Sequence, residues 1–538
     1  MKNFKTFLPL FIGTAIAFGI YIGSKLNFTD STEKIFTTNS KKDKLNRLID
    51  YIDFEYVDRI NTDSIVDVTV NGILSNLDPH SIYIPIRNYA AVAEDMRGKF
   101  VGIGISFYIY NDTLSVISTT DGGPAQRAGV RGGDRILYAD TIRLYGKDIH
   151  RDSITKALKG ELNTRVALKI LRKGQTTPLD VKVIRKEIPI KSVDAGFMLN
   201  ETMGYIKINR FAETTHEEFK TALKELIDRD MKSLVLDLRD NPGGYVHAAE
   251  QVVEEFVEKG TLIMMTKNKS EVINNTFSKR KGLFEKGNIY ILVDEMSASA
   301  SEIVAGALQD NDKAIIIGRR TYGKGLVQRE MSLGDGSAVR LTVARYYTPT
   351  GRSIQRPYEN GDKEYFSDYK NRYLNGELLN ESSIKVVDSL RFVTPKGKVV
   401  YGGGGIIPDY FIPKDFTEES EALNFILTSG HLNYFIFEYL EKNRQVYDTI
   451  VAENFFEKYE ITDGILDQFI AYTEVNPNSS GINKLKEKIK KYIKATLAQQ
   501  LYGKDYYERI ISSDDTMVRK AIDIENELHK ADSEISED

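Results

Sequence analysis

The chain has 538 residues, more than one ordinary core accommodates, so two to four domains are expected. Its 41% hydrophobic and 28% charged residues are those of a globular protein, and a net charge of −4 gives no global electrostatic case for nucleic acid or an anionic membrane surface. The absence of cysteine excludes disulfides, thiol catalysis and thiolate metal sites.

In chain order, MKNFK places Lys2 and Lys5 before a charge-free run from Phe7 to Gly23. A run of about 17 residues lies between a membrane span and the apolar part of a signal peptide. The flanking lysines favour a cytoplasmic N-terminus with the rest exported. Without a small-x-small site after Gly23, residues 1–27 are expected to be an uncleaved anchor, which puts the remainder in the cell envelope, in a periplasm-like compartment. Residues 40–97 read as helical, with Leu45, Leu48, Ile49, Ile52 and Tyr56 at helical spacing and a second run ending at Asp78-Pro79.

From Phe100 the period becomes that of strands: FVGIGISFYIY, TLSVIST, RVALKILR and LDVKVIRK surround one main helix candidate, RDSITKALKG. Residues 98–188 therefore form a strand-rich unit. Over residues 189–415 strands and helices alternate: MGYIKIN, a helix, SLVLDLRDNPGG, a helix, TLIMMT, IYILVD, the helix SEIVAGALQDN, and AIIIG. Such alternation predicts a mostly parallel sheet with crossover helices. Residues 358–395 are polar and read as an exposed insertion. Residues 416–538 read as helical, with Leu485, Ile489, Ile493, Leu497 and Leu501 on one stripe.

The chemistry centres on MSASASE. Ser299 follows the strand IYILVD and opens a helix, and no histidine is near it in sequence. In a right-handed βαβ unit the next strand, AIIIG, ends on the same edge, so the TYGKG loop returns Lys324 towards Ser299. An amine is a base only when neutral, which requires burial to lower its ordinary pKa of about 10.4 by several units. A serine–lysine pair of this kind needs no histidine. Backbone N–H donors for an oxyanion are expected from Ala300, at the helix N-terminus, and from Gly244 or Gly243 in the DNPGG loop of another parallel strand.

LVDEMSASASEIVAGALQDND followed by IIIGRRTYGKGLVQ resembles the carboxy-terminal processing peptidases, also called tail-specific proteases. LDLRDNPGG, YYTPTGRSIQ and GGGIIPDYFI follow the same pattern, so the resemblance spans about residues 40 to 412. It implies Ser299 as nucleophile, Lys324 as base, Gln328 as the residue that orients the lysine, and a supportive part for Asp310. It also implies an α/β peptidase core in a crotonase/ClpP-like ββα arrangement over residues 189–415. The strand-rich unit resembles a PDZ domain, with Gly102, Ile103, Gly104 and Ile105 as its carboxylate-binding loop. A peptide could add there as an edge strand with its terminal carboxylate in the loop. The expected function is a serine endopeptidase that takes protein or peptide substrates by their C-termini, with no cofactor, no metal and no nucleic acid partner. The helical ends leave a homo-oligomer open. The polar insertion and the helical tail depart from the family pattern.

Other readings fit some of the same residues. A non-catalytic PDZ scaffold would use the same fold only to bind peptides. A Ser–His–Asp triad through His216 or His247 is an alternative, and His80 reads as a turn or packing residue. Ser297 and Ser301 read as structural, Ser301 as a helix cap. No HExxH and no Walker pattern occurs. The lysine-rich helix at 484–494 could meet anionic lipid or be simply solvated.

Overall fold

The computed structural model describes residues 13–14, 40–447, 449–473 and 480–537. The charge-free run from Phe7 to Gly23 therefore lies outside the described residues except at Gly13 and Thr14. No helix among the described residues is long and apolar enough to cross a membrane. The chain divides into two compact units, residues 1–76 and 77–538. In the first, helices span Ser40–Glu55 and Thr62–Leu74, the second capped by Asn61 Oδ1, which accepts the Ser64 N–H at 3.1 Å.

The second unit is built on a six-stranded sheet in the order Val193–Met198, Met203–Ile208, Ser233–Asp237, Asn288–Val293, Ala314–Gly318, Tyr410–Phe411. The first pair is antiparallel and every later pair parallel. The inner strands SLVLD and NIYILV read as near-continuous apolar runs because both faces are covered. Leu234, Leu236, Ile289 and Ile291 pack with helices Thr215–Ile227, Val246–Glu254 and Ala300–Asp310. Val235, Tyr290, Leu292 and Ile317 pack on the other face against Met517, Val518, Ala521 and Ile524 of helix Thr516–Glu537. The C-terminal region is thus partly a layer of the core.

The TLIMMT strand leaves this sheet. It pairs antiparallel with Ile273–Phe277 and with Ala338–Tyr347 in a second, five-stranded sheet. The physical reason was present in the chain: only a short turn separates Leu262–Asn268 from Ile273–Phe277, and a parallel pair needs a long crossover.

The strand-rich unit holds a six-stranded antiparallel sheet with Ile105–Tyr110 at one edge, and the pair Lys99–Gly102 with Lys186–Pro189. Leu114, Val116, Ile136, Ile154, Val166 and Ile170 form its core. Alternation sends Phe107 and Ile109 inward and leaves Tyr108 and Tyr110 outside, where helix His431–Tyr447 covers them. Tyr108 stacks on Tyr434 at 4.5 Å, and Phe437 meets both tyrosines edge-on. The remaining C-terminal helices enclose their own core, which includes Leu485, Ile489, Ile493 and Leu497. On helix Ser480–Tyr502, which carries these residues, Lys484 pairs with Glu419, Lys490 with Asp463 and Lys491 with Asp514, and Lys494 donates to Phe456 O, while Lys486 and Lys488 are exposed.

Candidate active site

Strands Asn288–Val293 and Ala314–Gly318 are parallel neighbours, so the loops after them share one sheet edge. Ser299 ends the first loop, just before helix Ala300–Asp310, with φ 55° and ψ −110°. A non-glycine residue rarely takes that conformation, and here the surroundings hold it. Ser297 Oγ donates to Leu238 O at 2.8 Å, Ala298 N–H to Asn241 O at 3.0 Å, and Ser301 Oγ to the same Asn241 O at 2.9 Å. Ser301 is therefore a stitch inside the helix and not its cap, because the cap position falls to Ser299.

The stitched partner is the DNPGG loop. Gly243 comes so near that a Cβ there would lie 2.8 Å from Ser299 Cβ and 2.9 Å from Ala300 N, so only glycine permits the approach. Its own N–H is donated to Asn241 Oδ1 at 2.9 Å and is not free for an oxyanion. Among the described residues the N–H groups of Gly244 and Ala300 meet no acceptor. Gly243 thus supplies close approach, while Gly244 and Ala300 supply donors without partners.

Glu302 links the loop of Ser299 and the loop of Lys324. Fully buried, it accepts Ser299 N–H at 2.8 Å and Lys324 N–H at 2.9 Å on Oε2. Its Oε1 accepts Thr321 Oγ1 at 2.6 Å and Gly323 N–H at 2.7 Å. Burial pushes the Glu302 carboxyl up, against those hydrogen bonds. Sequence reasoning missed this residue, although S-x-x-E at a helix start is a capping-box spacing that could have found it.

Lys324 Nζ donates to Gln328 Oε1 at 2.9 Å. No hydrogen bond joins Nζ to Ser299 Oγ. Burial lowers the amine to about 8, Arg340 adds to the effect, and Glu302 and Asp78 oppose it. Gln328 sits at an irregularity of strand Leu326–Ser332, where the register with Ala338–Tyr347 shifts. Its Nε2 donates to His80 O. His80 is anchored in turn by Asp78, whose carboxylate accepts the His80 N–H at 3.0 Å, Ser81 Oγ at 2.6 Å and Thr342 Oγ1 at 3.0 Å. The His80 ring, hydrogen-bonded to Tyr365 Oη at 2.7 Å, is pushed down to about 3 by burial and then by Lys324, so it stays neutral. His216 is bound elsewhere, to Glu255 at 2.7 Å and Arg280 at 2.8 Å, and His247 is exposed. Neither is hydrogen-bonded to Ser299.

The polar insertion is not merely an exposed excursion. Arg372, fully buried, donates to the carbonyls of Arg320 at 2.7 Å and Thr321 at 2.9 Å, directly before the lysine. Arg356 lies between the rings of Tyr322 and Tyr365, about 4 Å from each centroid. Composition suggested exposure because charged residues dominate the segment. The structure buries Arg372 of this segment, whose donors meet carbonyls of the lysine loop, while most of the segment stays exposed.

Asp310 is a structural anchor. It pairs with Arg352 at 2.7 Å, both side chains fully buried, and accepts Thr350 Oγ1 at 2.6 Å. Asp310→Ala is expected to destabilise the fold by about 3–5 kcal/mol, since it leaves a buried guanidinium uncompensated. Chemical denaturation measures this, and turnover per folded molecule should change little. A loss of turnover at unchanged stability would assign Asp310 to the chemistry instead.

In the strand-rich unit, Gly104 takes φ +73°, and the carbonyls of Ile103 and Gly104 accept from Ala125 at 2.9 Å and Thr120 at 3.0 Å. Gly102, Ile103 and Gly104 are buried and Ile105 begins the edge strand. Among the described residues no cluster of His, Cys, Asp and Glu could hold a metal.

Residues 202–361 match the model of peptidase family S41, residues 101–183 that of the PDZ domain, and residues 422–503 a family of unknown function. The chain is 35% identical over 332 residues to a carboxy-terminal-processing protease of Bartonella bacilliformis, covering 59% of this chain and 75% of that one. It is 31% identical over 319 residues to a carboxy-terminal processing protease of Bacillus subtilis, covering 58% and 65%. Among solved structures, a photosystem II D1 C-terminal processing protease matches at 27% identity with a TM-score of 0.34, covering 58% of this chain and 83% of that one.

Proposed function

The chain belongs to the carboxy-terminal-processing proteases of peptidase family S41, and on that premise we propose that it is a Ser299–Lys324 endopeptidase cleaving exported proteins near their C-termini. The observation that carries this reading is the shared Glu302 Oε2, which takes the backbone N–H of both Ser299 and Lys324 and so ties the two residues together. A neutral amine has two hydrogens and one lone pair. Gln328 Oε1 takes a hydrogen, which leaves the lone pair for the Ser299 hydroxyl proton.

In the proposed acylation, Ser299 Oγ bonds to the scissile carbonyl carbon as its proton passes to Lys324 Nζ. The oxyanion is received by the N–H groups of Gly244 and Ala300. Collapse breaks the C–N bond, Lys324 returns the proton to the leaving amine, and water repeats the sequence to free the acid. Gly102, Ile103, Gly104 and Ile105 are read as the loop that receives the substrate's terminal carboxylate, with the peptide paired to the free edge of strand Ile105–Tyr110. An N-terminal anchor within residues 1–27 and an envelope location complete the proposal, as do a peptidase core at 189–415 and its crotonase-like layering. The scaffold alternative is disfavoured by the lowered amine, which a binding module has no use for.

The pH profile tests it. Below about 8 the amine is protonated and inactive, so kcat/KM is expected to fall about tenfold per pH unit and to level off above it. The same shift makes stability rise with pH between about 8 and the ordinary lysine value, because over that span the unfolded chain binds the extra proton. A flat activity profile from pH 5 to 10 on folded protein would reject the amine as base.

A further inference from the structure

The C-terminal helices place four carboxylates on the central sheet. Asp505 accepts the Gly196 N–H at 2.9 Å, Glu508 pairs with Lys207 at 3.3 Å, and Glu525 accepts the Tyr290 hydroxyl at 2.6 Å. These three partners lie within strands. The fourth does not: Asp515 Oδ2 accepts Arg239 Nη1 at 2.7 Å, and Arg239 stands just beyond strand Ser233–Asp237, at the root of the loop that leads to Gly243 and Gly244.

Arg239 is a fork between two carboxylates. Its Nε and Nη2 grip the fully buried Asp237 at 2.9 and 2.6 Å, and its Nη1 takes Asp515. Asp515 is itself fixed, because its Oδ1 accepts Met517 N–H at 2.9 Å and Val518 N–H at 3.1 Å in the first turn of helix Thr516–Glu537. That helix is held by the burial of Met517, Val518, Ala521 and Ile524 against the sheet. One end of a rigid, packed helix is therefore fastened to the first residues of the glycine loop. The same loop holds Asp240 at φ 58° and binds its N–H to Asp294 at 3.2 Å; its far end is tied to Phe211, whose N–H donates to Gly243 O at 2.9 Å and whose carbonyl accepts the Tyr245 N–H at 2.7 Å, so the Arg239 fork fixes the root of a loop that is clamped at both ends.

We propose that Asp515 is a positioning residue of the peptidase: acting through Arg239, it sets the loop that presents the Gly244 N–H, and so makes the C-terminal helical region part of the catalytic apparatus. This rests on the assignment of Ser299 and Gly244 made above. The charge on Arg239 does not touch substrate. Its effect reaches the reaction only where the oxyanion is bound, so it belongs to turnover and not to peptide affinity.

The test uses the full chain with Asp515→Asn and Asp515→Ser, both of which keep an acceptor for the helix N-terminus and remove the charge. The probes are an unstructured peptide substrate and a peptide aldehyde. Ser299 Oγ adds to the aldehyde carbon, its proton passes to Lys324, and the former carbonyl oxygen takes the negative charge into the oxyanion site. Both variants are expected to show kcat about tenfold lower, KM within twofold of wild type, aldehyde affinity about tenfold weaker, and an unchanged melting temperature. Wild-type kcat and aldehyde affinity in both variants would overturn the proposal, as would losses that follow a fall in melting temperature or appear in KM alone. Should one variant fail to fold, the other decides. Ser299→Ala is run in parallel: activity there would sink the nucleophile assignment itself, a result separate from anything Asp515 shows.

Discussion

Lys324→Ala is expected to lower turnover of an unstructured peptide by about 10⁴-fold at pH 8, and Ser299→Ala by at least as much. The two side chains act as one unit, so the double variant should be no slower than the worse single one. Peptide affinity should hold in all three, because neither Nζ nor Oγ belongs to the Gly102–Ile105 loop proposed to seat a C-terminus. The measurement is single-turnover cleavage beside binding of a peptide that ends in a free carboxylate. Equal cleavage by wild type and both single variants would remove the dyad from consideration, and so would independent, multiplying losses. The Gln328 contact makes a further distinction possible. With the amine already held at 2.9 Å by an acceptor, Lys324→Arg cannot rescue, since a guanidinium stays charged across the usable pH range.

The second large effect is expected at Glu302. Its two oxygens receive four donors, two on each, and three of these are backbone N–H groups. Glu302→Gln leaves one oxygen for four donors and turns an NH₂ towards the others. The Thr321 hydroxyl can rotate and accept, but a backbone N–H cannot. At least one buried N–H therefore loses its acceptor, at about 1–3 kcal/mol. Stability should fall by that amount, and kcat by about 10²-fold as Ser299 and Lys324 lose their common tether. The sign of the pH effect is a separate check. Burial raises the Glu302 carboxyl, so its ionised form opposes folding as pH rises through the unfolded carboxylate value towards the folded one. Glu302→Gln should flatten that part of the stability curve. A variant with wild-type kcat and lower stability would mean that the carboxylate is only a cap.

Much of the site was legible because it depends on local chemistry carried by short segments. A continuous apolar run, a serine before a helix, a second apolar run and a glycine-flanked lysine are enough to predict two parallel strands with both loops on one edge, and the pairing of Ile289 with Ala314 through Val293 with Gly318 bears out that neighbourhood. The glycine loop was legible too, although which N–H groups stay free was not: Gly243 spends its own on Asn241, a contact that depends on how the loop folds back. Asp78, His80 and Arg372 carried no signal, since each acts through a partner more than forty positions away in the chain. Most of the insertion is exposed, as its composition suggested, but composition could not single out Arg372, which is buried with its two terminal nitrogens on carbonyls of the lysine loop.

The amino-acid sequence by itself determined the family and the order of its units, and it nominated the serine, lysine and glutamine of the proposed site, because side-chain type and spacing along a strand–loop–helix segment are properties of the chain. Only the tertiary structure decided the environment: that the lysine is dry enough to sit at about 8, that a buried carboxylate ties its loop to the serine, and that the last helix closes one face of the catalytic sheet. Burial and hydrogen-bond partners come from residues distant in sequence, and a pKa is set by what surrounds a group, not by what neighbours it in the chain.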